Sequence, residues 1–286
     1  MTNIDQFESV FKAAVKTVFT YEKIEFKRVL NVTDLDEKGA KAFGDRVREF
    51  LMVLGSSEEH EWRDVHGGEY KTVGELLEVV KEAVPDLICT YRNLHSTAWK
   101  WPHSLGSHLD VITQVATMPV LVLPHPEAGR ELEHALKNTD AVMAMTDHLV
   151  GDHRLVNTGV RFTQPNGSLF LTHIEDRNTF ERYQDAISKI PSINTENARE
   201  EIIKKLLEEP GDYIRSCREA LEKEKLPVKI EEVTTMGTRL EEYKRLIEGH
   251  KVDLLIMHTK DQDQLAMHGI AYPLAVELRK IPLLLI

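Results

Sequence analysis

Two apolar segments of this chain follow one plan at a fixed offset. GSHLDVITQVATMPVLVL opens at Gly106, and GIAYPLAVELRKIPLLLI opens at Gly269, 163 residues later. In both, a proline stands 13 residues after the glycine, at Pro119 and Pro282. Each segment is preceded by an apolar run that begins Asp-Leu, DLICTY from Asp86 and DLLIMH from Asp253. The fronts of the two copies repeat as well. RVLNVTDLD (28–36) runs into Thr33-Asp34, and AVMAMTDHL (141–149) runs into Thr146-Asp147. Self-similarity at a fixed period marks a duplicated structural unit. From that aspartate to the next Asp-Leu is 52 residues in the first copy and 106 in the second. The second copy therefore holds extra structure in its middle, or the first has lost some.

Near-continuous apolar strands separated by helical stretches indicate a parallel sheet covered on both faces. The expected class is α/β: two tandem doubly wound parallel-sheet domains, over 1–130 and 138–286. In the second copy, a strand at 141–147 leads to a helix around 152–160 and a strand at 168–174. Amphipathic stretches follow at 180–190 and 196–225, the latter interrupted at Pro210-Gly211. A strand at 228–233, a helix near 238–249 and strands at 252–258 and 282–286 complete it. In the first copy, 38–54 and 72–84 read as helices. The polar stretch between them, SSEEHEWRDVHGGEY, carries no clear strand signal, so the second strand there is left open. Residues 5–19 read as an added amphipathic helix that covers surface the shorter copy leaves bare.

The strands VLVL and LLLI would be sticky edges if left unpaired. Packing the two copies as an intramolecular pseudo-dimer lets each edge cover the other.

Composition narrows the function. A formal net charge of −11 over 286 residues lacks the basic footprint that phosphate contacts need, which excludes general nucleic-acid binding. No stretch reaches the roughly 18 apolar residues of a membrane helix, and the N-terminus lacks the basic and apolar regions of a signal peptide. Two cysteines far apart, Cys89 and Cys217, suit a reducing compartment and inert packing, so a cytoplasmic location is expected. Neither a P-loop, nor GxGxxG, nor a GxSxG nucleophile elbow occurs.

The VTD and MTD strand ends, the tails VATMPVLVL and LRKIPLLLI, and their duplication resemble the universal stress protein family in its tandem two-domain form. The resemblance covers roughly 26–126 and 138–286. It implies a five-stranded parallel domain whose last strand pairs with that of a partner domain, and a stress-response role. It also implies a nucleotide site: an Asp ending the first strand, then Gly, two residues, Gly, nine residues and Gly-Ser or Gly-Thr after the fourth strand. Glycines there let backbone amides approach phosphates.

This chain departs from that pattern. MHTKD (257–261) puts His258 and Asp261 at glycine positions in the second copy, and TYRNL (90–94) puts Tyr91 and Leu94 there in the first. Gly106-Ser107, Asp34 and Asp147 remain. The weak nucleotide or ligand candidates are thus Thr33, Asp34, Gly106, Ser107, Asp147 and His258, with ATP or AMP as the implied cofactor in the first copy. Asp34 and Asp147 have an alternative role, capping the helix that follows.

Histidines supply a second reading. His148, His173, His258 and His268 approach one carboxyl edge of the second sheet, near Asp152 and His153, where imidazoles and carboxylates suit zinc or a hydrolytic site. Each can equally be a hydrogen-bonded core or solvent-facing histidine. The loop HSTAWKWPH, with His95, His103 and nearby His108 around Trp99 and Trp101, reads as packing with a polar rim or as a lid. The chain as a whole reads as a binding or regulatory module rather than an enzyme. It would act through a small molecule or a regulatory protein partner, and is open to further homodimerisation.

Overall fold

The two copies make the same backbone bonds at equivalent places. The computed structural model describes residues 19–101, 103–129, 131–146, 153–190, 195–259, 267 and 270–286. Strand β1 (Arg28–Val32) ends in Thr33, whose amide and hydroxyl both donate to the Val65 carbonyl, at 3.0 and 3.1 Å. Strand β5 (Ala141–Met145) ends in Thr146, whose amide and hydroxyl donate to the Thr172 carbonyl at 2.9 and 3.1 Å. Each threonine clamps its strand to the next one.

The Asp-Leu starts repeat just as closely. Asp86 donates its amide to the Arg28 carbonyl, and its carboxylate accepts from the Arg28 amide at 3.0 Å. Asp253 donates to the Ala141 carbonyl and accepts from the Ala141 amide at 2.9 Å. The prolines serve through their carbonyls, Pro119 accepting from Ile88 and Pro282 from Leu255, at 3.1 and 3.2 Å.

The remaining strands are β2 (Glu61–Val65), β3 (Leu87–Tyr91), β4 (Val120–Leu123), β6 (Ser168–Asp176), β7 (Lys229–Gly237), β8 (Leu254–Met257) and β9 (Leu283–Leu285). They form one nine-stranded sheet in the order β2-β1-β3-β4-β9-β8-β5-β6-β7. Every neighbouring pair is parallel except β4–β9, which is antiparallel with Val120 opposite Leu285, Leu121 opposite Leu284 and Val122 opposite Leu283. The two hydrophobic tails therefore meet at the middle of the sheet, as their sequences require. β3, β4, β8 and β9 are buried at every position, so both faces are covered.

The helices are α1 (Glu37–Phe50), α2 (Val73–Ala83), α3 (Ser107–Val115), α4 (His153–Phe162), α5 (Arg177–Ser188), α6 (Thr195–Lys223), α7 (Arg239–His250) and α8 (Ala271–Glu277). Thr72 and Glu75 start α2 with a reciprocal capping box. The strand left open in the first copy is β2, EWRDV, an edge strand whose outward positions stay polar because nothing packs on them.

Three expectations are corrected. The helix over 196–225 is not interrupted, because α6 runs through Pro210. Burial of Ile214, Cys217 and Leu221 on one face offsets the missing amide bond. The strand beginning near 228 continues to Gly237, paired with β6 along its whole length. The helix over 38–54 ends as α-helix at Phe50, with a 3₁₀ turn at Met52–Leu54. Residues 5–18, Asp147, His148, Asp152, Asp261, His268 and Gly269 lie outside the described residues. Among the described residues, no helix is long and apolar enough to cross a membrane.

Candidate functional site

In an open α/β sheet, ligands sit beyond the carboxyl ends of the strands where the chain reverses its direction across the sheet. Here that happens twice, between β1 and β3 and between β5 and β8. Both crevices are places that the sequence singles out.

At the first, Asp34 follows the Thr33 clamp. The Tyr91 hydroxyl donates to Asp34 Oδ1, and the His95 amide donates to Asp34 Oδ2 at 2.7 Å. The Asp34 amide donates in turn to the Tyr91 oxygen at 3.2 Å. The carboxylate is thus held from both sides by the chain itself. Helix capping falls instead to Asp36, which accepts from the Gly39 amide at 2.7 Å, correcting the alternative role given to Asp34. Thr33 is fully buried, and its carbonyl accepts from the Tyr70 hydroxyl at 3.0 Å.

Aromatic rings close the crevice around this pair. Tyr91 meets Phe43 edge-on at 5.4 Å and His125 at 4.7 Å. Tyr70 meets His95 at 4.8 Å, and Trp99 stacks on His125 at 4.4 Å. Burial, reinforced by the Asp34 charge, pushes both tyrosine hydroxyls far above the ordinary range, so they remain protonated donors. Burial also lowers the proton affinity of His108 and His125, which keeps both rings neutral near pH 7. The loop HSTAWKWPH supplies Trp99 and His95 to this packing and leaves Trp101 exposed.

Gly106 survives from the glycine pattern for a local reason. Its φ is +88°, and a Cβ there would lie 2.7 Å from Asn93 Cα. The Asn93 amide bonds Leu105 at 2.7 Å across the same approach. Gly106 therefore lets α3 begin against the loop after β3. Ser107 is the first residue of α3 and is exposed.

In the second crevice, His173 is buried. Its Nδ1 lies 3.0 Å from the Thr146 carbonyl and its Nε2 lies 3.3 Å from Glu175. Both ring nitrogens are thereby turned toward oxygens of the protein rather than toward a shared metal position. His258 follows β8 and is half-buried. Among the described residues, no group of three or more His, Cys, Asp or Glu side chains could hold a metal ion. Cys89 and Cys217 are both buried, and burial pushes the Cys89 thiol well above its ordinary range.

Three residues that matter here carry little signal in the sequence. Tyr70 lies in the polar stretch. Arg92, directly after Tyr91, is buried and donates to the carbonyls of Ala275 and Leu278 in the other copy. Arg161 of α4 donates to the carbonyls of Val53 and Leu54, linking the copies in the opposite sense. A cation placed directly after a buried strand is the one available hint for Arg92.

Fold and site together define a doubly wound α/β protein with two switch-point crevices, the first bordered by aromatic side chains. No family model matches the chain, and no curated protein matches it. Among solved structures, a universal stress protein from Archaeoglobus fulgidus DSM 4304 is similar at 12% identity, over 91% of this chain and 87% of that one, with a TM-score of 0.44. A functionally unknown protein from Pseudomonas aeruginosa PAO1 is similar at 11% identity, over 100% of this chain and 88% of that one, with a TM-score of 0.45.

Proposed function

We propose that this chain is a non-enzymatic binding or regulatory module of the tandem universal-stress type, in which the first nucleotide crevice has been converted into packing. One observation carries the reading: the Asp34 carboxylate, expected to face an adenine or ribose, is engaged by the Tyr91 hydroxyl and the His95 amide. A ligand hydroxyl would have to compete with these donors for the carboxylate and fit beside the Tyr91 ring, which stands where the family pattern has glycine. On this reading Thr33 is a strand clamp and Gly106-Ser107 a helix start, and function runs through a small ligand other than ATP or through a regulatory protein partner.

Calorimetric titration with ATP and with AMP tests the reading. The expected result is no heat of binding at millimolar nucleotide and no thermal shift. A ligand at about 100 times its dissociation constant stabilises by roughly 2.7 kcal/mol, so binding of ordinary affinity would be plain. A nucleotide-induced shift that Asp34→Ala abolishes would establish the competing reading, ATP or AMP bound in the first copy.

A further inference from the structure

The two copies carry the same groove at matched positions. In the first copy it measures about 330 Å³ and runs between α2 and α3, lined by Leu77, Val80, Lys81, Val84, Val115 and Met118 among others. In the second it also measures about 330 Å³ and runs between α7 and α8, lined by Lys244, Ile247, Glu248, Leu278 and Ile281 among others. Val80 and Ile247 are separated by the same number of residues as Asp86 and Asp253. Val115 and Leu278, and Met118 and Ile281, keep the 163-residue offset of Gly106 and Gly269.

What differs is the cover. In the second copy the chain leading into β5 reaches the groove: Leu132 lines it, and the Leu132 amide donates to the Lys280 carbonyl at 3.1 Å. Ile247 and Ile281 are buried there, and Leu278 is 8% exposed. In the first copy, among the described residues, the groove is lined only by α2, α3 and the residues directly after them. Val80 and Met118 are half-buried, and Val115 is 60% exposed. Matched apolar positions are therefore sheltered in one copy and wet in the other, and covering the second set would be favourable.

The counterpart of that linker is the chain leading into β1. Leu132 precedes Ala141 by the same number of residues as Phe19 precedes Arg28. Phe19 is buried and meets His153 edge-on at 5.4 Å. The adjacent Arg154 donates to the Thr117 carbonyl at 3.3 Å, and Thr117 is the counterpart of Lys280. The chain before Phe19 thus sets out from beside the open groove. Its sequence places Ile4, Phe7, Phe11, Ala14 and Val18 at the spacing of one apolar helix face, with Asp5, Lys12 and Lys16 opposite. As a helix, Ile4 to Val18 would span about 21 Å, against about 16 Å for the 11 residues of α2. We propose that residues 1–18 form an amphipathic helix that docks along the α2–α3 groove of the same chain. This docking is independent of what the Asp34 crevice binds.

The test is hydrogen–deuterium exchange of the full chain, read by mass spectrometry of its peptides, for the unaltered protein, Phe11→Asp and Val115→Asp. Phe11→Asp should speed exchange at least tenfold in residues 107–118, and Val115→Asp should do the same in residues 1–18. Unchanged exchange in β3, β4, β8 and β9 reports that the sheet is intact in both variants. Unchanged exchange in both target segments overturns the proposal. A photoreactive benzoylphenylalanine in place of Phe11 gives a second measurement. Adducts within one chain at residues 77–84 or 112–118 support the docking. Adducts only elsewhere in the chain overturn it, as do adducts formed only between chains, which would give the groove to a second copy.

Discussion

Leu121 and Leu284 stand opposite each other in the one antiparallel pair of the sheet, and both are fully buried. Every other strand neighbour is parallel, so this pair is where two separately wound sets of strands become one sheet. Truncating either leucine to alanine removes packing from the common core and should cost about 2–5 kcal/mol. Because the residues touch, the double variant should deviate from additivity by at least 0.5 kcal/mol. Urea denaturation followed by two probes checks this. Tryptophans 62, 99 and 101 all lie in the first strand set, whereas far-ultraviolet circular dichroism reports on both. The two transitions should coincide in the unaltered protein and separate in Leu284→Ala.

Thr33 and Thr146 give a direct test of the repeat. Each hydroxyl donates to a buried carbonyl of the adjacent strand, at 3.1 Å in both copies. Valine keeps the shape and loses the bond. Thr33→Val and Thr146→Val should each destabilise by about 1 kcal/mol, and the losses should add. Chemical denaturation of the two single variants and the double variant measures this. A large loss at Thr33 alone, with none at Thr146, would indicate that the two clamps are not equivalent.

Much of this architecture was legible because duplicated strands leave duplicated chemistry. Asp86 and Asp253, Thr33 and Thr146, and Pro119 and Pro282 recur since each pair makes the same backbone bonds. What stayed illegible has equally physical causes. β2 sits at the edge of the sheet, where Glu61 and Arg63 face water, so it shows no apolar run. Pro210 signals a break that packing on β6 and β7 overrides. In TDLD, Asp34 and Asp36 are both plausible caps by composition, and only the backbone geometry assigns the role to Asp36. Arg92 finds its carbonyl partners 183 and 186 residues further along the chain, a distance no local pattern spans.

The paired aspartates are also predicted to respond oppositely to pH. Burial raises Asp253 from 3.8 to about 6, against the bond from the Ala141 amide. Between those values the folded state binds more protons than the unfolded one, so this stabilisation is full below about pH 4 and lost by about pH 6. Asp253→Asn keeps an acceptor for Ala141 without the charge. It should match the unaltered protein near pH 4 and exceed its stability near pH 8 by about 3 kcal/mol. At Asp86, burial again raises, but the amides of Lys27 and Arg28 and the Arg28 guanidinium outweigh it, and the carboxyl sits below its ordinary range. Asp86→Asn should therefore lose stability at neutral pH, with the difference fading as pH falls below 4. Thermal midpoints of the three proteins across pH 2–8 decide both.

Tyr91 makes an alkaline prediction of the same kind. Its hydroxyl is held protonated by burial first and by its bond to Asp34 second, so it ionises only when the chain unfolds. The folded state thus keeps a proton that the unfolded state releases near pH 10, and stability must fall as pH rises past that value. Each such proton adds about 1.4 kcal/mol per pH unit to the slope. Tyr91→Phe keeps the ring contacts to Phe43 and His125 while removing the hydroxyl, which leaves Asp34 with the His95 amide as its remaining donor. At neutral pH it should cost about 1–3 kcal/mol. Above pH 10 its stability should fall less steeply than that of the unaltered protein by one proton's worth. Denaturant titrations at pH 7, 9, 10 and 11 measure both effects, and equal slopes above pH 10 would show that Tyr91 ionises in the folded chain.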